Sequence, residues 1–348
     1  MNVSVVIPTR NRPECLNDLL TSLAGQKFPL TEVIIVDSSD EPCSEEELRQ
    51  RHPSIPMTYL RSEASVCVQR NLGIRQTTSP LVFVCDDDMV VPPDYVAKLR
   101  DYMVQHADVA AVSGLVVEPG QTTDHLSQYP VASVGELFFH FVFQLSVWGE
   151  IDHLQPSWLG RLPFALLRRY YTWRNNGLSA AGWPEITRFE RPAFRTRVWG
   201  LGASILRREW LGEQPYDEIF DRHGIGDNFD LCLRLPGKRP VAVLTEAWVE
   251  HKKSTLNRLP SQVSHYRRTL SLHYFLSRYP AFSRRHRLAF LWSLVGKYLE
   301  SRYAGDRERA ASILKIARLI VTGRNPYVQA YHAGGGRFVE PLLETSKS

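Results

Sequence analysis

The sequence predicts an α/β domain built on a largely parallel sheet, with a helical extension at its C-terminal end. Three observations carry that expectation. Over residues 1–117, short apolar runs rich in Val and Ile alternate with stretches of helical period. Three of those runs end in polar clusters, Pro8-Thr9-Arg10, Asp37-Ser38-Ser39-Asp40 and Asp86-Asp87-Asp88. From residue 261 onward, apolar residues recur at helical spacing among arginines and lysines.

Val3 to Ile7 reads as a buried strand closed by Pro8. Asn11-Arg12-Pro13-Glu14 reads as a helix start with Asn11 as cap, and Leu16, Leu19, Leu20 and Leu23 follow at helical spacing. Glu32 to Val36 is a second strand, so the opening is a β-α-β unit with a right-handed crossover. Met57 to Leu60 is a further strand, 64–76 a loop entering a helix, and Leu81 to Cys85 the strand before the carboxylates. Pro92-Pro93-Asp94 opens another helix, and Val109 to Val117 is a strand. The stretch 118–195 is less regular, with an aromatic segment from Leu137 to Trp148 read as a core helix, or else as a lipid-facing one. Two stripes follow, Leu288, Leu291, Trp292, Val295 and Leu299, then Ala310, Ile313, Leu314, Ala317 and Ile320. Both are expected to pack on the main domain or to lie in a membrane interface. The resulting division is 1–117 as a nucleotide-binding half, 118–260 as a second half, to which the resemblance given below assigns the acceptor, 261–333 as a basic helical extension and 334–348 as a tail.

With 348 residues and 43% hydrophobic composition, the chain can build a sizeable core. The five cysteines show no C-x-x-C pairing, which argues against a zinc site or a disulfide framework. A strand starts almost at residue 1, so no secretory leader is expected, and no apolar run is long enough to span a bilayer. The expected location is cytoplasmic, with the inner face of the plasma membrane open. The net charge of +5 is unevenly spread. Residues 1–160 hold 10 basic and 21 acidic side chains, whereas 161–208 hold 10 basic and 2 acidic, and 261–324 hold 13 basic and 3 acidic. Such blocks suit an anionic membrane surface or a phosphorylated acceptor. No nucleic-acid recognition motif accompanies them.

Asp86, Asp87 and Asp88 follow a buried apolar run, where carboxylates are costly without a cation. A hard divalent ion would satisfy them and would bind a diphosphate as well. A solvated acidic turn is the plain alternative. Ligands of doubly wound sheets sit beyond the carboxyl ends of the strands, where all three polar clusters lie. No G-x-G-x-x-G follows the first strand, which disfavours a dehydrogenase.

Taken in order, four segments resemble the inverting family 2 glycosyltransferases of GT-A fold: Val3 to Arg12, Val36-Asp37-Ser38-Ser39-Asp40, Gln69-Arg70-Asn71-Leu72-Gly73 and Asp86-Asp87-Asp88. The resemblance implies donor binding by Pro8, Thr9, Arg10, Asp37, Arg70, Asn71, Asp86 and Asp87, with Asp37 on a uracil or thymine base. It implies Mn2+ or Mg2+ held by Asp86 and Asp88, with His251 as a further ligand. Leu201 to Arg208 and Gly226-Asp227-Asn228-Phe229-Asp230-Leu231 are similar to the acceptor-side segments of that family. Relatives commonly show Gly-Glu-Asp-x-Asp-Leu there, so the expected base position is Asn228, whose amide cannot take a proton. Asp227 is the favoured base, Asp230 the second candidate, and loss of activity the third reading. The implied reaction moves a sugar, with inversion, from a UDP- or dTDP-type donor to a glycan or lipid-linked hydroxyl. The alternatives are a nucleotide-sugar-binding scaffold and a sugar-nucleotide pyrophosphorylase, the latter disfavoured because the loop after the first strand holds no glycine.

Overall fold

A computed structural model describes residues 1–120, 131, 133–220, 222–252 and 259–334. In chain order the elements are β1 (Val3–Thr9), α1 (Pro13–Ala24), β2 (Glu32–Asp37), α2 (Glu45–Arg51), β3 (Met57–Arg61), α3 (Val66–Gln76), β4 (Leu81–Cys85), β5 (Met89–Val90), α4 (Tyr95–Gln105) and β6 (Ala111–Val117). There follow α5 (Val134–Phe143), β7 (Val147–Trp148), α6 (Arg161–Arg174), β8 (Glu185–Ile186), β9 (Ala193–Thr196), β10 (Ala203–Arg207), α7 (Asp227–Arg234) and β11 (Val241–His251). Four helices close the described chain: α8 (Ser261–Arg278), α9 (Arg284–Tyr303), α10 (Arg307–Val321) and α11 (Pro326–His332). Contacts divide the chain into two compact units.

The first unit comprises Met1–Leu126, Glu190–Glu218 and Arg222–Arg258. Its nine-stranded sheet runs β3-β2-β1-β4-β10-β6-β11-β5, with β9 paired to β11. The pairs β1–β2, β1–β4, β2–β3 and β6–β11 are parallel, and β10 lies antiparallel between β4 and β6. Val3, Val5, Ile7, Val33, Ile35 and Phe83 are buried in the core beside Leu16, Leu19, Leu20 and Leu23 of α1. Alpha helix α3 approaches the sheet closely at Gly73, where an added Cβ would lie 2.4 Å from Val6 Cγ1. The register Thr9↔Asp37 brings the ends of β1 and β2 level, and Gln69 Nε2 ties both by donating to Thr9 O (2.7 Å) and Val36 O (2.6 Å).

Asn11 departs from its expected role. The residue capping α1 is Arg12, without a side-chain hydrogen bond, and Asn11 takes a left-handed φ of 53°. Its side chain instead donates to Asp40 Oδ2 (2.8 Å) and accepts from Asp40 N (2.9 Å). Asn tolerates that backbone region because its short amide satisfies nearby groups. The strand expected from Val109 begins at Ala111.

The second unit comprises Ser127–Phe189, Ile219–Asp221 and Leu259–Ser348. The aromatic segment forms α5, which buries Leu137 and leaves Phe138 exposed, so it is only partly a core helix. The first apolar stripe of the extension is mostly outward, although Trp292 stacks on Phe143 (4.9 Å) and donates to Val142 O (2.8 Å). Leu288, Trp292, Val295 and Leu299 are exposed, whereas α9 buries Phe290, Ser293, Leu294, Gly296 and Lys297 on the opposite side. Small residues decide that choice. A Cβ on Gly296 would meet Phe143 Cβ at 2.4 Å, and Ser293 Oγ accepts from Trp183 Nε1 (2.9 Å). The second stripe packs inward through Ala310, Ile313 and Ile320, with Leu314 left outside. The tail from residue 335 lies outside the described residues.

Candidate active site

All the candidate site residues lie in the first unit. Thr9 ends β1, Asp37 ends β2 and Asp86 follows β4, so the parallel core delivers three polar clusters to the carboxyl ends of its strands. Asp37 is fully buried and its carboxylate is filled from within. Oδ1 accepts from Ser39 N (2.6 Å), and Oδ2 accepts from Cys43 N (3.3 Å), lies 3.3 Å from Arg61 Nη1 and takes the Tyr59 hydroxyl. Asp37 therefore shapes the loop after β2. Pro8 is buried within β1, and Arg10 turns to Asp40 (3.1 Å) at the surface.

The three adjacent carboxylates have different partners. Asp87 accepts from Thr9 Oγ1 (2.8 Å) and Arg12 Nη1 (3.0 Å), and burial pushes its carboxyl up to about 6 despite both. Asp88 Oδ2 lies 3.2 Å from His251 Nε2 and 3.5 Å from Arg12 Nη1. Burial alone would raise the Asp88 carboxyl, but His251 and Arg12 hold it below its ordinary value. The backbone places this pair, since Met89 pairs with His251 across β5 and β11, and Lys252 N donates to Asp88 O (2.9 Å). Asp86 turns elsewhere, to Arg70, against Gly202, where a Cβ would lie 2.5 Å from Asp86 Oδ2.

Arg70 is buried and bridges Asp86 and Asp227, with its guanidinium carbon 5.1 Å from the centroid of the Tyr216 ring. Burial alone would lower its pKa, but the two carboxylates raise it well above the ordinary value. One cation shared by two acids only half compensates each. Burial, aided by Asp86, lifts Asp227 to about 6 against the opposing pull of Arg70. Asp227 opens α7 after Gly224 (φ 62°) and Gly226 (φ 111°), and its Oδ1 accepts from Asn228 N (2.5 Å). Gly224 cannot be replaced without conflict, because a Cβ there would lie 2.3 Å from Val66 Cγ1. Asp230 is fully buried and pairs with Arg234 one turn on (2.6 Å). Asn71 clamps the segment before α7, donating to Tyr216 O (2.8 Å) and Glu218 Oε1 (3.0 Å) and accepting from Tyr216 N (2.9 Å).

The structure thus brings Thr9, Asp87, Asp88 and His251 into one network, and Arg70, Asp86 and Asp227 into another. Asp37, Arg10, Asn71 and Asp230 have partners outside both. Arg12, Gln69, Tyr59 and Tyr216 were absent from the sequence-based site. Arg12 lies inside the Val3 to Arg12 segment and Gln69 inside the Gln69 to Gly73 segment, but all four acquire their partners only by folding. Among the described residues, no group of three or more His, Cys, Asp or Glu side chains is close enough to enclose a metal ion. Asp88 and His251, 3.2 Å apart, are an oxygen and an imidazole donor of the kind that would suit a divalent ion.

Comparisons with known proteins agree with this architecture. Residues 4–162, just under half the chain, match the family model "Glycosyl transferase family 2". The chain is 30% identical over 121 residues to the uncharacterized glycosyltransferase YwdF of Bacillus subtilis, covering 32% of this chain and 44% of YwdF. It is 31% identical over 114 residues to chondroitin synthase of Escherichia coli, covering 32% of this chain and 17% of that protein. It is 23% identical over 263 residues to validoxylamine A glucosyltransferase of Streptomyces hygroscopicus subsp. jinggangensis, covering 68% of this chain and 61% of that protein. The chain therefore spans less than half of YwdF and of chondroitin synthase, and under two thirds of the third relative. The fold is similar to that of S. aureus TarS residues 1–349, with a TM-score of 0.50 at 14% identity, covering 96% of this chain and 87% of that one. The fold is the GT-A type expected from the sequence, and residues 4–162, which carry Thr9, Asp37, Arg70 and the Asp86–Asp88 cluster, are similar to glycosyl transferase family 2.

Proposed function

We propose that this chain transfers a sugar, with inversion, from a UDP- or dTDP-type nucleotide-sugar to a hydroxyl of a glycan or lipid-linked acceptor. The observation that carries the reading is the buried Arg70 shared between Asp86 and Asp227, with Asp227 raised to about 6. A carboxylate with a pKa near neutrality suits general-base work. Asp227 takes the proton of the acceptor hydroxyl, whose oxygen forms the new bond to the anomeric carbon. The bond from that carbon to the diphosphate oxygen breaks, and its electron pair leaves with the nucleoside diphosphate. Attack opposite the leaving group inverts the anomeric centre. Asp230 is the weaker candidate for the base because Arg234 already fills it.

Asp88 and His251 would hold Mn2+ or Mg2+, with Asp86 joining only after release from Arg70. The bound ion would supply positive charge to the departing diphosphate. Pro8, Thr9, Arg10, Asp37, Arg70, Asn71, Asp86 and Asp87 form the donor side within residues 1–117, and 118–260 supply the acceptor side. The proposed setting is the cytoplasm, at the inner face of the plasma membrane.

The reading is tested with purified protein and a set of nucleotide-sugars, with Mn2+ and then with chelator. Metal-dependent turnover of one donor, lost in Asp88→Ala, supports it. A folded protein that binds no nucleotide-sugar overturns it. Binding without turnover under every acceptor tried would favour the scaffold.

A further inference from the structure

Among the described residues, every exposed large apolar side chain except Met1, Val104 and Trp248 lies in the second unit. Five of them, Trp158, Leu159, Leu162, Leu166 and Trp173, fall on α6 and the 3-10 turn that leads into it. Leu162 and Leu166 are one turn apart and Trp173 is two turns further, so they share a face, and they stand 72%, 61% and 72% exposed. The opposite face is already used, because Phe164, Leu167 and Tyr171 are buried. Helix α6 therefore has two apolar faces and packs only one.

Charge indicates what the outer face fits. The helix holds Arg161, Arg168, Arg169 and Arg174 and no acid. Arg168 pairs with Asp152 (2.8 Å) and Arg174 with Glu185 (2.9 Å). Arg161 and Arg169 have no carboxylate partner among the described residues, and Arg169 lies between Leu166 and Trp173 on the apolar face. Trp158 and Trp173 mark the two ends of the stripe. Leu, Trp and Arg in this pattern suit the boundary between headgroups and acyl chains. No described helix is long and apolar enough to cross a membrane.

We propose that the outer face of α6 docks this chain onto an anionic lipid bilayer, with the helix lying in the headgroup plane and Arg161 and Arg169 meeting lipid phosphates. A second copy of the chain fits less well. A two-fold contact through α6 would bury Arg169 against an identical face that offers no carboxylate. Lipid binding here stands apart from the sugar-transfer reading and would persist in a chain without that activity.

The test mixes the full chain with vesicles of phosphatidylcholine and phosphatidylglycerol, and separately with pure phosphatidylcholine vesicles. Cosedimentation with the anionic vesicles alone, weakened by added salt, is the expected result. Leu162→Gln with Leu166→Gln should lower apparent affinity by about 10-fold or more, and Arg161→Gln with Arg169→Gln should lower it too. Val104→Gln, an exposed apolar position in the first unit, should bind like the parent. Circular dichroism and thermal melting establish that each variant is folded. Absence of vesicle binding, equal binding to both vesicle types, or undiminished binding by the Leu162/Leu166 variant overturns the proposal. A dimer that this variant dissociates, without lipid binding in the parent, also overturns it and assigns the face to a second copy.

Discussion

Asp88 Oδ2 and His251 Nε2 lie 3.2 Å apart although 163 residues separate them in the chain. The pairing of β5 with β11 holds them there, so the last carboxylate of an acidic triplet meets an imidazole from the other end of the first unit. If the pair binds the ion that accompanies a diphosphate, His251→Ala should raise the Mn2+ concentration needed for half-maximal donor binding by about 10-fold. Titration of Mn2+ at fixed donor concentration measures this, and an unchanged midpoint would remove His251 from the ligand set.

Asp227 must be ionised to accept a proton, and its pKa is raised to about 6, so activity should fall as pH drops through about 6. The sign follows from burial, which favours the neutral acid. Asp227→Asn should lower kcat by about 100-fold or more, with donor affinity retained. Asp230→Asn should chiefly lower stability, because it weakens the partner of Arg234. Side-by-side pH–rate profiles and urea unfolding of the two variants separate the roles.

Arg70 is 3% exposed and is shared by two acids. Replacing it by Met leaves Asp86 and Asp227 without their cation and should cost about 3–5 kcal/mol of stability. Arg70→Lys keeps the charge but loses the planar fork that reaches both carboxylates, so an intermediate loss is expected. Denaturant unfolding at pH 7 reads both.

Gly73 lies where α3 rests on the sheet, and an added methyl would meet Val6 Cγ1 at 2.4 Å and Val36 Cγ2 at 3.3 Å. Gly73→Ala should therefore destabilise the first unit by about 1–3 kcal/mol through overpacking. It should do so despite the better helix propensity of Ala. Thermal unfolding checks the sign, and a stabilised variant would show that α3 moves away freely.

The sequence by itself determined the local elements and the chemistry at their ends. The apolar runs of β1, β2 and β4 and the leucine spacing of α1 are short-range signals, because burial on one face imposes a period on neighbouring residues. The same runs placed Thr9, Asp37 and Asp86 at strand ends, and the acidic triplet was visible as a cost in need of a partner. Tertiary structure decided which partner Asp86, Asp88 and Asp227 received, whereas Asp230 and Arg234 meet within one turn of α7. Arg70 reaches Asp86 and Asp227, His251 reaches Asp88, and Arg234 takes Asp230, and only the first and last of these lie on helices whose period could have hinted at a face. Tertiary structure also decided that β10 would enter antiparallel between β4 and β6, and that the stripe from Leu288 to Leu299 would face mostly outward. The physical reason is the same in each case. Periodicity reports that a face is apolar, but which face is buried depends on how closely a partner can approach, and on α9 Gly296 and Ser293 allow the close approach while Trp292 stays about half exposed beside Phe143.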